Sequence, residues 1–252
     1  MSPNSLWLKF FTKLDNSPSQ TGFTFLGRYG EIPHMTSITP KRKAKRTYGG
    51  LSDDERKEER RERFLDAGLD IFGTLGIRGA TVRTLCKTAA LTERYFYESF
   101  ANTDDLFCAV FERQLLSLHS LFKEKLPTLP ADMEVRAQAS LQLYFSAMKD
   151  ERLVRILHIE SQAGSHDILN MYNQHMRLLA EFAAQMIQAE HPGLKAPHSL
   201  TTQVALAIHG ASSILAVQWM LGGYKIPQKT VVESCSLLVI GTIKELLLTH
   251  SR

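Results

Sequence analysis

Residues Thr81 to Phe100 restrict this chain more than any other stretch, because they describe two short helices joined by a tight turn. Thr81 can cap a helix by accepting a bond from a free backbone N–H near its start. Val82, Leu85, Cys86 and Ala89 then recur at helical spacing. Ala89, Ala90 and Leu91 form a compact junction, and Thr92 is a second potential cap ahead of Glu93 to Ser99. In that second helix Phe96 and Phe100 are four apart and share a face, while Arg94, Tyr95 and Tyr97 project elsewhere. The shared face anchors and the remainder is free to read a groove, the arrangement of a helix-turn-helix whose second helix enters the major groove by its N-terminal turn.

The flanks fit a small three-helix domain. Ser52 and Glu55 have the spacing of a capping box, which satisfies two orphan backbone donors reciprocally. A helix therefore starts near Asp53 and passes through a charged half, Arg56 to Arg63. It continues into an apolar stripe of Phe64, Gly68, Ile71 and Leu75 beside Leu65, Leu69 and Phe72. Gly76 is expected to stop it in a left-handed conformation. Downstream, Asn102 to Asp105 cap a fourth helix whose Leu106, Phe107, Val110, Phe111 and Leu115 can pack back on the domain before the helix continues outward.

This pattern resembles the tetracycline repressor (TetR) family of transcriptional regulators. The resemblance rests on Phe72, Gly76, Thr81, Val82, Arg83, Ala89, Leu91, Thr92, Phe96, Tyr97, Phe100, Leu106 and Phe107, and it covers roughly residues 55 to 115. It implies that Thr81 and Tyr97 contact phosphates, that Arg83 lies near the backbone or a base edge, and that Thr92, Arg94 and Tyr95 face bases. Phosphate contacts set register and base contacts set sequence. It also implies a homodimer on a palindromic DNA operator and repression relieved by a small-molecule effector. Three positions depart from the family pattern. Ala90 stands where the turn usually has glycine, Glu98 is a carboxylate close to where phosphate approaches, and Thr103 replaces a frequent phosphate-binding lysine.

The rest of the chain reads as helix after helix, so the fold class is all-α. A flexible extension over 1–50 precedes the helix-turn-helix domain at 51–101, and a helical effector-binding and dimerisation domain follows at 102–252. Helices are expected near 131–149, 151–162, 166–190, 198–221 and 228–249, broken by Gly164, by Pro192-Gly193 with Pro197, and by Gly222-Gly223 with Pro227. The last two are apolar nearly all the way round and so need two partners each, one within the domain and one in a second copy. Gly210, Ala211 and Ser212 would permit close approach of that copy. Residues 200–224 lack Lys, Arg, Asp and Glu, but Thr201, Thr202, Gln203, His209, Ser212, Ser213 and Gln218 make a membrane span too polar. No membrane partner is expected.

Composition agrees with a soluble two-domain protein. A chain of 252 residues that is 44% hydrophobic and 22% charged can build a sizeable core. A net charge of +4 is modest, yet Lys41, Arg42, Lys43, Lys45 and Arg46 concentrate it just before the first helix. That arm can add salt-sensitive phosphate or minor-groove contacts; the plainer reading is a solvated linker. Residues 1–34 show no sustained period and no secretory pattern, and Met35 opens a more family-like beginning. Cys86, Cys108 and Cys235 are widely separated in apolar helical settings, the use expected of core thiols in a reducing cytoplasm.

The effector is expected among the middle helices, where Tyr144, Met148, Ile159, Met171 and Leu179 offer apolar lining and Glu160 and His175 polar anchors. No metal and no cofactor is expected. Two other function classes stay open at this point. One is a helical metal-dependent hydrolase using His158, Glu160, His166, Asp167 and His175, although no H-E-x-x-H motif or similar ligand pair is present. The other is an architectural DNA binder with no effector.

Overall fold

The first helix, α1 (Asp53–Gly79), begins with the expected capping box: the Ser52 amide donates to Glu55 Oε2 at 2.6 Å, and the Glu55 amide donates to the Ser52 hydroxyl at 3.2 Å. The computed structural model describes residues 52–125, 128, 129 and 132–251, so the basic run Lys41 to Arg46 lies outside the described residues. Residues Lys57–Arg252 form one compact unit. Among the described residues every regular element is helical.

The expected stop at Gly76 is a break of a different kind. Gly76 has φ 72° and ψ 176°, an extended conformation at positive φ that is open essentially only to glycine, and a last helical turn resumes as far as Gly79. Leu75, assigned above to the buried stripe, is 58% exposed at this kink and lies against Gly79. Periodicity puts Leu75 on the stripe, but no neighbouring helix covers it there.

Helix α2 (Val82–Ala89) and helix α3 (Glu93–Ser99) follow, then α4 (Thr103–Lys125). Helix α4 starts where the sequence places it. Asn102 Oδ1 accepts the Asp105 amide at 2.8 Å, and Asp105 Oδ2 accepts the Ala101 amide at 2.9 Å. Phe64, Phe72, Leu85, Phe96, Leu106, Phe107 and Val110 are fully buried between these four helices. Phe64 meets Phe96 edge-on at 5.4 Å between ring centroids, and Phe72 meets Phe107 at 5.2 Å. Such aromatic burial fixes α3 against α1 more firmly than the short helix could hold itself.

Seven further segments build the larger part: α5 (Met133–Ala147), α6 (Glu151–Arg155), a π-helical turn (Ile156–Glu160), α7 (Ser161–Ala163), α8 (His166–Glu190), α9 (His198–Leu221) and α10 (Gln228–His250), the π turn joining α6 to α7. The helix expected over 151–162 is thus continuous in position but interrupted by π geometry, a feature concentrated at functional sites. Helix α9 packs along α8, and α10 packs along α5 and against α9. Ser212, expected on the outer face of α9, sits in the α9–α10 seam instead, with its hydroxyl 3.2 Å from Cys235 Sγ and bonded to the Ile208 carbonyl. A polar side chain in such a seam is tolerated because the carbonyl of the preceding turn accepts its hydrogen. Cys86, Cys108 and Cys235 are free and buried, as core thiols. Among the described residues, α9 alone is long and apolar enough to cross a membrane, and its Ala205, Ala216, Trp219 and Met220 are buried against protein.

Candidate nucleic-acid interface and effector region

Local chemistry holds the helix-turn-helix open toward solvent. Thr81 caps α2 in a reciprocal box with Thr84: the Thr84 amide donates to Thr81 Oγ1 at 3.1 Å, and the Thr81 amide donates to Thr84 Oγ1 at 2.9 Å. Thr84 went unnoticed in the sequence, although Thr-x-x-Thr carries the right spacing. Ala90 then closes α2 at φ 51° and ψ 45°, with the Leu91 amide donating to the Cys86 carbonyl at 3.0 Å and the Ala90 amide to the Lys87 carbonyl at 3.3 Å. This is the paired bonding of a Schellman motif. The left-handed backbone explains why glycine is usual at this position. Arg63 of α1 braces the turn by donating to the Ala89 and Ala90 carbonyls at 2.6 and 3.1 Å.

The expected reading residues lie on one accessible side of this frame. Thr81, Arg83, Thr92 and Arg94 are exposed, and Tyr97 is 60% exposed despite being aromatic. Thr92 takes the N-cap position of α3 by its backbone, but its hydroxyl makes no capping bond and is available to an outside partner. Tyr95 is half-buried, with the Arg60 guanidinium 4.5 Å from its ring centroid. Arg94 Nε donates to Glu98 Oε1 at 3.2 Å, and Arg60 lies 3.7 Å from the other Glu98 oxygen. Glu98 therefore engages the guanidinium of Arg94, the arginine expected from the sequence to face bases. Arg60 and Arg63 are the residues sequence reading missed: they stood only as part of the charged half of the first helix, and their distance from Tyr95 and Ala90 along the chain hid these contacts.

The residues expected around the effector do not all converge. Tyr144 Oη lies 2.9 Å from His158 Nε2, and burial raises the phenol above its ordinary range. Met148 is fully buried, Met171 and His175 nearly so, and Ile159 and Leu179 are half-buried. Glu160 is engaged elsewhere. Its Oε2 accepts the Ile77 amide at 2.9 Å and its Oε1 meets Arg155 at 3.3 Å, which places its carboxylate on the kinked end of α1. Beside this contact, Gly73 lets α1 approach α6 closely, since a Cβ there would stand 2.5 Å from Arg152 Cβ. Arg152 also pairs with Asp70 at 2.6 Å.

Three more histidines join His175 inside this region. Burial lowers His158 and His175 to about 3 and His119 and His209 to about 4, so all are neutral at ordinary pH. Among the described residues no group of three His, Cys, Asp or Glu side chains has an arrangement suited to a metal ion. An open groove of about 450 Å³ lies on a different surface, between α9 and the end of α10, lined by Val204, Gly241, Glu245 and Thr249 among others.

The sequence matches no protein-family model and no curated protein. Solved structures do match. The fatty acid degradation regulator FadR from Bacillus halodurans superposes with a TM-score of 0.59 at 17% identity, covering 72% of this chain and 95% of that one. A TetR-like transcriptional regulator from Rhodococcus sp. RHA1 gives 0.56 at 19% identity, over 73% and 96%. FadR from Bacillus subtilis, solved in complex with stearoyl-CoA, gives 0.58 at 17% identity, over 71% and 98%. The chain has the fold of the TetR-family transcriptional regulators.

Proposed function

We propose that this protein is a DNA-binding transcriptional regulator of the TetR type, acting as a homodimer that represses from a pseudo-palindromic operator and lets go when a small molecule occupies its larger domain. The observation that carries the reading is the exposed row Thr92, Arg94 and Tyr97 mounted on a buried Phe96 and Phe100. Tyr97 so placed presents a ring and a hydroxyl to an outside partner from a helix pinned by buried rings.

The dimer reading is supported by the outer faces of α9 and α10. Leu206, Ile214 and Leu221 on one and Leu237, Leu238 and Leu248 on the other are exposed, and the space above Gly210 and Gly241 is open to a neighbouring backbone. Residues Lys41 to Arg46 would extend the DNA contact as a salt-sensitive arm. An apolar effector suits the Met- and aromatic-rich middle helices, and the neighbour solved with stearoyl-CoA has the same fold.

DNA selected from a random pool tests the reading. Tyr97→Ala should weaken binding to most sequences alike, whereas Arg94→Ala should also relax base preference. Unchanged affinity and preference in both variants would remove the proposed reader.

A further inference from the structure

Four imidazoles from four segments meet inside the larger domain. His119 of α4 stacks on His175 of α8 with ring centroids 5.8 Å apart, and His158 of the π turn lies 6.2 Å from His209 of α9. The two pairs sense one another, since His119, His209 and His158 all oppose a charge on His175. His158 Nε2 is bonded to Tyr144 Oη at 2.9 Å, and His209 Nε2 lies 3.2 Å from the Ser213 hydroxyl. His158 is 7% exposed, and its buried Nδ1 has no hydrogen-bond partner. A buried polar atom left in that state inside a bonded network marks a place for a group from outside.

The polarity of the surroundings limits what that group can be. Around His158 stand Tyr144 of α5, which is sensed by Tyr172 of α8 and Cys235 of α10, and the Ser213 hydroxyl, which bonds Tyr144 and His209. Neither His158 nor His209 has a carboxylate partner, and the nearby Glu160 is held by Ile77 and Arg155. A cationic ligand would meet imidazoles that can only become positive, beside phenols and a thiol whose ionisation burial opposes. A purely apolar one would leave Nδ1 unmet. An organic acid satisfies both conditions: its carboxylate enters with one proton from water, no net charge is buried, and the imidazolium donates through Nε2–H to Tyr144 and through Nδ1–H to the carboxylate.

We infer that His158 and His209, with Tyr144 and Ser213, hold the carboxylate of an organic-acid effector whose apolar part packs on the ring of Phe145 beside Tyr144, and that one proton is taken up with it. The inference rests on the effector-responsive reading above and names the chemistry of its ligand. Burial keeps both imidazoles neutral until the acid arrives, and the opposition between His158 and His209 favours one added proton over two. Occupancy can reach the reader because His158 shares the five-residue π turn with Glu160, whose carboxylate holds the kink of α1.

The test uses the full chain and three probes of equal length, octanoate, octanol and octylamine, titrated calorimetrically in phosphate and in Tris at one pH. The difference between buffers reads the protons exchanged. Octanoate should bind at least roughly tenfold tighter than octanol, as a charge-assisted pair exceeds a neutral one, with uptake of about one proton per site. Octylamine should bind more weakly than either. His158→Gln keeps an amide for Tyr144 and should fold with an unchanged circular dichroism spectrum while losing the proton uptake; His209→Gln should reduce it. Octanol as tight as octanoate would overturn the acid assignment while leaving an effector site in place. Octanoate that binds without proton uptake, or that does not bind, also overturns it, and the regulator reading is judged separately by the Arg94 and Tyr97 variants on DNA.

Discussion

The Ile77 amide donates to Glu160 Oε2 at 2.9 Å, a bond across 83 residues that joins the kinked end of α1 to the π turn of the larger domain. The kink itself leaves the amide without a helical acceptor, and a Cβ on Gly76 would stand 2.8 Å from the same carboxylate. Glu160→Ala strands a part-buried donor and should cost about 1–3 kcal/mol in urea unfolding, with Glu160→Gln losing less because an acceptor oxygen remains. Gly76→Ala should cost at least as much. Wild-type stability in Glu160→Ala would show that the bond does not brace the two parts.

Ala90→Gly should stabilise the protein. An alanine in the left-handed region carries about 1–2 kcal/mol of strain, and the extra freedom glycine brings to the unfolded chain offsets roughly 0.5–1 kcal/mol of the relief. A net gain of about 0.5–1 kcal/mol, read as a higher thermal midpoint, is expected. A lower midpoint would mean that the Arg63 bonds to the Ala89 and Ala90 carbonyls already remove the strain.

Glu98→Gln should tighten DNA binding several-fold at low salt while changing stability little. The pair it breaks with Arg94 is solvent-exposed and worth little to the fold. Its loss frees the guanidinium and removes a negative charge that would oppose phosphate in the proposed complex. The gain should shrink as salt rises, because the repulsion removed is screened. Affinity measured across a salt series decides the matter.

Stability should fall steeply in mild acid. His119, His158, His175 and His209 have native values lowered to about 3 to 4 against an ordinary value of 6.5, so the unfolded chain binds protons first as pH drops below that value. Stability is thus present above pH 6.5 and is lost as pH falls toward the native values, each imidazole contributing about 2 kcal/mol of loss by pH 5. Glu112 runs the other way: burial pushes its carboxyl up to about 8, so its contribution is present below its ordinary value of 4.5 and fades as pH rises to 8. The imidazoles outnumber it, and urea midpoints should decline from pH 7 to pH 5. A flat profile would place these rings in contact with water.

Ile214→Glu and Leu237→Glu should each yield monomer by sedimentation and retain the helical spectrum. Both side chains are already in water in the single chain, at 62% and 72% exposure, so the charge harms only an interface. Persistent dimer in both variants would move the interface off this face.

Sequence determined whatever is local. The capping pairs Ser52–Glu55 and Asn102–Asp105, the helix limits near 166–190 and 198–221, and the Phe96–Phe100 anchor all depend on residues three or four apart, where backbone donors and side chains meet regardless of the rest of the chain. Tertiary structure decided the contacts that span the chain. Glu160 reads as a pocket anchor until α1 presents an unbonded amide to it, and Ser212 as an outer small residue until α10 arrives beside it. His119, His158, His175 and His209 sit on four separate segments with no shared spacing, so only packing could bring them together, and the burial it imposes is the largest cause of their lowered affinity for protons. Periodicity assigns a residue to a face; which partner covers that face depends on helices brought together from distant parts of the chain.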